Sequence, residues 1–135
     1  MGAFSFIDRI AEVKKNESLT AFYALKDSEE FLKDHFEGFP VMPGVLLLET
    51  LAQAASEFLA LSEGSKGVFF RLVSVEEVKF GQFIKPGSEL KVFVRLLKKD
   101  GVLRFFDGRI DWVNDPQSSA AKKALTANFT LGPVS

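Results

Sequence analysis

One stretch constrains this chain more than any other. From Gly44 to about Leu61, helix-forming residues run on and are apolar on most faces, among them Val45, Leu46, Leu47, Leu48, Leu51, Phe58 and Leu59. A helix apolar on so many sides has to be surrounded by protein. Its polar positions, Glu49, Gln53, Ser56 and Glu57, fall near one stripe at three- and four-residue spacing. The same residues interrupt the apolar run, so no membrane span is expected there.

The rest of the chain reads mainly as strand. Apolar and polar residues alternate roughly from Phe4 to Val13 and again from Ser18 to Leu25, on either side of a turn at Lys14-Lys15-Asn16-Glu17. Asp27-Ser28-Glu29-Glu30 offers N-cap chemistry for a short helix ending near Lys33. After the long helix, Val68 to Phe80, Glu89 to Leu97, Val102 to Val113 and Ala121 to Leu131 are strand-like. The separators Lys85-Pro86-Gly87-Ser88, Lys99-Asp100-Gly101 and Asn114-Asp115-Pro116-Gln117 are turn-rich. A lone buried helix beside a long antiparallel sheet predicts an α+β fold, the sheet curved around one long central helix. A length of 135 residues, with no repeat and no linker, predicts a single domain over residues 1–135.

Composition narrows the chemistry. The chain has no cysteine, which excludes disulfides, thiolate catalysis and thiolate metal sites. Its single histidine cannot make up a metal set with a second one, so neither metal nor cofactor is expected. Formal charge is −1, and no basic block or stripe stands out in the sequence, so neither nucleic acid nor an anionic membrane is an expected partner. The first residues lack the pattern of a signal peptide, and the expectation is a soluble cytoplasmic protein. Fifteen Phe against one Tyr and one Trp supply dry aromatic surface, either for an ordinary core or for the wall of an apolar channel.

Three features could carry chemistry. His35 lies in the Gly- and Pro-punctuated loop Asp34 to Gly44, and imidazole exchanges protons near neutral pH; a loop histidine can equally be a plain exposed side chain. Glu49 is either part of a solvated helix stripe or a carboxyl held among Leu46, Leu47, Leu48 and Leu51, where burial would suit it to act as an acid. Gly44 and Val45 begin the long helix, where free backbone amides and the helix dipole suit a developing oxyanion. No serine sits in a nucleophile elbow, so a serine hydrolase is not expected.

The run His35-Phe36-Glu37-Gly38-Phe39-Pro40-Val41-Met42-Pro43-Gly44-Val45, followed by Glu49-Thr50-Leu51-Ala52-Gln53-Ala54-Ala55, closely resembles the signature of the β-hydroxyacyl-acyl-carrier-protein dehydratases. Phe6 to Ile10 resembles that family's first strand, and Val78-Lys79-Phe80 through Pro86-Gly87 its strand and turn after the helix. The resemblance implies the hot-dog fold. It also implies dehydration of a (3R)-3-hydroxyacyl thioester, borne by acyl carrier protein or coenzyme A, to the trans-2-enoyl product in acyl-chain biosynthesis. By the same resemblance His35 takes the C2 proton and Glu49 protonates the departing hydroxyl or orients the water formed. The Gly44 and Val45 amides would face the thioester carbonyl, with Phe36, Gly38, Pro40 and Pro43 shaping the loop. Met42, Leu48, Phe80 and Phe83 would line the acyl tunnel. It further implies a homodimer, or a trimer of dimers, with Glu49 of one chain facing His35 of the other. A thioesterase on the same fold and a non-catalytic acyl-binding subunit are the alternatives.

Two departures carry consequences. Glu37 stands where the family has Pro, and a carboxylate two residues from His35 favours the imidazolium, the wrong form for a base. The expected result is lower activity, or a more alkaline pH optimum, than a Glu37→Pro variant shows; an unchanged rate and pH profile would reject this. Gly81 and Phe83 stand where the family usually has a basic residue and a Pro, which bears on how an acidic carrier protein docks.

Overall fold

The computed structural model describes residues 7–24, 44–64, 70–81, 89–113 and 122–133. Six strands and one helix follow one another as β1 (Arg9–Lys14), β2 (Ser18–Ala24), α1 (Gly44–Glu63), β3 (Phe70–Phe80), β4 (Glu89–Asp100), β5 (Leu103–Trp112) and β6 (Lys122–Pro133). They agree with the expected order. Among the described residues, which start at Ile7, the first strand begins at Arg9; Phe4 to Phe6 and the expected short helix at Asp27 to Lys33 lie outside them.

All five ladders are antiparallel, in the order β1-β2-β4-β5-β6-β3. The turns follow local chemistry. Asn16 takes φ 62° between β1 and β2, a left-handed conformation that Asn tolerates. Gly101 takes φ 60° at the first position of the two-residue β4–β5 connection, which suits a type II′ hairpin turn.

One face of the sheet holds α1. Leu47, Leu51, Ala54, Ala55, Phe58 and Leu59 are buried at the spacing of a helix against Leu19, Val92, Phe106, Ile110, Leu125 and Leu131 of the strands. Gly108 permits close approach: a Cβ there would lie 2.8 Å from a Phe129 ring carbon and 2.9 Å from a Leu51 methyl. At the centre Phe106 stacks on Phe129 (5.4 Å, 11°) and meets the edge of Phe58 (5.9 Å, 87°). These rings put part of the phenylalanine content in an ordinary core. By length and composition alone α1 could cross a bilayer, despite its interrupting polar residues; here one side of it is packed on the sheet.

Polar groups on α1 find partners. The Thr50 hydroxyl donates to the Leu46 carbonyl at 2.8 Å, and Ser62 Oγ accepts from the Asn16 amide at 3.2 Å. Glu63 closes the last turn, accepting from Arg104 Nε at 3.0 Å and pairing with Lys99 Nζ at 3.0 Å. Partial burial acts to raise the Glu63 pKa, but the hydrogen bonds and charges of Arg104 and Lys99 together hold it below the ordinary value. A depressed folded pKa contributes stability above the unfolded value, and that stability is lost as pH falls through the folded value. Glu63→Gln should therefore cost about 1–3 kcal/mol at neutral pH. Denaturant melts should show the gap from wild type narrowing below about pH 4.

Candidate active site

The first turn of α1 and the end of β3 meet at one corner. Phe80, the last residue of β3, lays its ring on Gly44, the first of α1: a Cβ on Gly44 would lie 2.7 and 2.9 Å from two Phe80 ring carbons. Only a residue without a side chain lets the ring rest there. Phe80 is nonetheless 60% exposed and Val45 is 70% exposed, so this apolar corner is open on the protomer. The Gly44 and Val45 amides belong to the first turn, which has no intrahelical acceptors and carries the positive end of the helix dipole.

Glu49 follows four residues after Val45, on the same side of the helix, and is exposed. With half-buried Gln53 and Ser56 and exposed Glu57 it forms the stripe expected from the sequence, facing away from the packed side. A single protomer therefore supplies none of the burial that a general acid at Glu49 calls for. Leu48 is half-buried beside it. His35, Phe36, Glu37, Gly38, Pro40, Met42, Pro43 and Phe83 lie outside the described residues. Of the expected site, the structure brings Phe80 against Gly44 and places Val45 and Glu49 farther along the same helix; the histidine lies outside the described residues.

The Gly81 departure has a local cause. The Gly81 amide donates to the Ala124 carbonyl at 2.8 Å, and a Cβ at Gly81 would fall on the Lys123 carbonyl oxygen. No basic side chain fits there without separating β3 from β6. Gly81→Arg is expected to cost about 1–3 kcal/mol, read by thermal or denaturant melting; wild-type stability would show that the strands part freely. The contact itself could not be read from sequence, because it depends on which strand lies beside β3.

A shallow groove of about 280 Å³ lies toward the other end of the sheet, lined by Glu76, Lys98, Phe105 and Asn128 among others. It is remote from Gly44 and contributes nothing to the corner at α1.

Among the described residues, one helix held by a six-stranded antiparallel sheet defines a hot-dog fold, and an exposed carboxylate, Glu49, lies near the helix start. The structure is similar to that of ApeI:P, a dehydratase heterocomplex from Xenorhabdus doucetiae, with a TM-score of 0.75 and 15% identity over 97% of this chain and 84% of that one. It is also similar to a Streptococcus mutans protein solved with acetyl-CoA, with a TM-score of 0.65 and 11% identity over 99% and 92% of the two chains. Both likenesses show the fold. In sequence, residues 11–113 match the model of the ApeI-like family, described as ApeI dehydratase. The 3-hydroxyacyl-[acyl-carrier-protein] dehydratase FabZ of Rhizorhabdus wittichii is 38% identical over 128 residues, 92% of this chain and 76% of that protein. The FabZ of Levilactobacillus brevis is 40% identical over 94 residues, 70% of this chain but 64% of that protein, so the match spans under two-thirds of its length. The chain belongs to the ApeI-like dehydratase family, with FabZ dehydratases among its relatives.

Proposed function

We propose that the chain dehydrates (3R)-3-hydroxyacyl thioesters carried by acyl carrier protein, as the names of its FabZ relatives suggest. The observation that carries this reading is the corner itself: Gly44, the first residue of α1, lies against the exposed Phe80 ring, and exposed Glu49 follows five residues on. His35 takes the C2 proton as the C2–C3 double bond forms. The C3–O bond breaks, and the leaving hydroxyl takes a proton from Glu49 and departs as water. The Gly44 amide, with Val45 behind it, hydrogen-bonds the thioester carbonyl as negative charge builds there. One such donor is worth roughly 3–4 kcal/mol in the transition state. Met42, Leu48, Phe80 and Phe83 line the path of the acyl chain, and no metal or cofactor takes part.

The exposure of Glu49 favours a site completed by a second copy, with His35 of one protomer facing Glu49 of its partner. Among the described residues β3 is an edge strand carrying exposed Val73 and Phe80, which gives a second copy a surface to pair with. Association as a homodimer or trimer of dimers, and a cytoplasmic location, belong to this proposal. Offered a short (3R)-3-hydroxyacyl thioester, the purified protein should release water and keep the thioester intact. Release of free thiol without dehydration would instead make it a thioesterase. Binding without turnover would make it an acyl-binding subunit.

A further inference from the structure

The ladder between β3 and β6 is irregular just before the corner at Gly44. Glu76 pairs with Asn128 and Lys79 with Thr126, so Glu77 and Val78 together face the single residue Ala127. This is a β-bulge, in which β3 uses one residue more than its partner. Glu77 takes φ 51°, in the left-handed region that residues with a Cβ resist. Among the described residues the other non-glycine with positive φ is Asn16, which sits in a turn and tolerates that conformation. Glu77 lies inside a strand and is exposed, so burial of its side chain does not offset the unfavourable backbone.

The bulge changes the face of every residue after it. Side chains alternate along a strand, so one extra residue reverses the side that each later one takes. A regular ladder running on from Glu76 and Asn128 would set Lys79 opposite Leu125 and carry Phe80 one place farther. The bulge sets Lys79 opposite Thr126 and Phe80 opposite Leu125 instead. Leu125 is fully buried in the core that holds α1, so Phe80 joins the helix side, while Lys79 is exposed. Val78, within the bulge, is half-buried against the same core. The same step places Gly81 beside the Lys123 carbonyl, where a Cβ would clash; a regular ladder would bring Phe80 to that spot. Two contacts therefore depend on the bulge: the Phe80 ring on Gly44, and the close approach of β3 to β6 at Gly81.

We propose that Glu77 is a positioning residue of the site: its left-handed bulge fixes the register that turns Phe80 onto the start of α1, and so sets how the acyl chain is held there. The inference rests on the dehydratase reading above. Bulges re-aim side chains beside active sites. A residue held in an unfavourable conformation next to a site points to a constraint from that site. Phe80 lies on the path of the acyl chain and not at the reacting atoms, so displacing it weakens binding and leaves the acid–base chemistry in place. The signature is a rise in KM with little change in kcat.

The test compares Glu77→Gly and Glu77→Asn, which accept a left-handed φ, with Glu77→Val, which resists it. Because the Phe80 ring lies on Gly44, the Gly44 amide resonance of the full chain, made with isotope-labelled glycine, reports where the ring is. Phe80→Leu gives the value without a ring. The Gly and Asn variants should keep the wild-type resonance and KM, and the Gly variant should melt at a higher temperature. Glu77→Val should move the resonance toward that of Phe80→Leu. It should raise KM for a medium-chain enoyl thioester about tenfold, with kcat within about twofold of wild type. Deleting Glu77 removes the extra residue, so a regular ladder again sets Phe80 opposite Leu125 and Gly81 beside the Lys123 carbonyl. The deletion variant should fold and keep the Gly44 resonance, which tests the register even if Glu77→Val does not fold. An unchanged resonance or an unchanged KM in Glu77→Val would overturn the proposal. So would an equal rise of KM in the Gly, Asn and Val variants, which would assign the effect to the carboxylate, or a deletion variant that is unfolded or has lost the resonance. If wild type turns over no thioester at all, the dehydratase reading fails, and the Gly44 resonance still decides whether Glu77 places Phe80.

Discussion

His35→Ala and Glu49→Gln are each expected to lower kcat/KM for a short enoyl or 3-hydroxyacyl thioester roughly 10²–10⁴-fold. The direction follows from the chemistry: elimination needs one group to take the C2 proton and another to protonate a poor leaving group. The Glu49 variant separates catalysis from structure cleanly. Glu49 is exposed on the protomer, so Gln should alter stability by no more than about 0.5 kcal/mol. Gln keeps the shape and loses the transferable proton. A parallel loss of melting temperature and rate would assign Glu49 a structural role, and full activity would remove it from the mechanism.

The largest effect on stability is expected at Phe106. It is fully buried, stacks on Phe129 and meets Phe58 edge-on, so it ties β5, β6 and α1 together. Phe106→Ala removes these contacts at once and leaves a cavity between rings held on two different elements, Phe58 on α1 and Phe129 on β6, which cannot both collapse into it. The expected cost is about 3–5 kcal/mol. Against the roughly 5–15 kcal/mol of a typical domain that is a large share. Denaturant unfolding should show a lower midpoint with little change in slope. A cost below about 1 kcal/mol would mean that the core repacks and that the ring cluster is not what joins sheet to helix.

The helix and the strands were legible because periodicity reports which side of an element is buried. The run from Gly44 to Leu61 became α1, and Glu49, Gln53 and Glu57 became its outward stripe. The turns at Asn16 and Gly101 were legible because those residues adopt φ values that others resist. Contacts between distant segments were not. Phe80 resting on Gly44, and the Lys123 backbone carbonyl lying beside Gly81, depend on how distant segments pack, which alternation does not encode. Of the proposed acid–base pair, Glu49 has a described position and His35 does not, so the pairing rests on the family resemblance and on the exposure of Glu49.

The central claim is that His35 and Glu49 act together from two copies of the chain. Mixing His35→Ala with Glu49→Gln, after dissociation and reassociation, tests it most directly. Each variant alone should be nearly inactive toward a short enoyl thioester. Random reassociation makes half of the dimers mixed, and each mixed dimer holds one intact site of two, so the mixture should recover about a quarter of wild-type activity. A mixture no more active than its components would contradict the shared site.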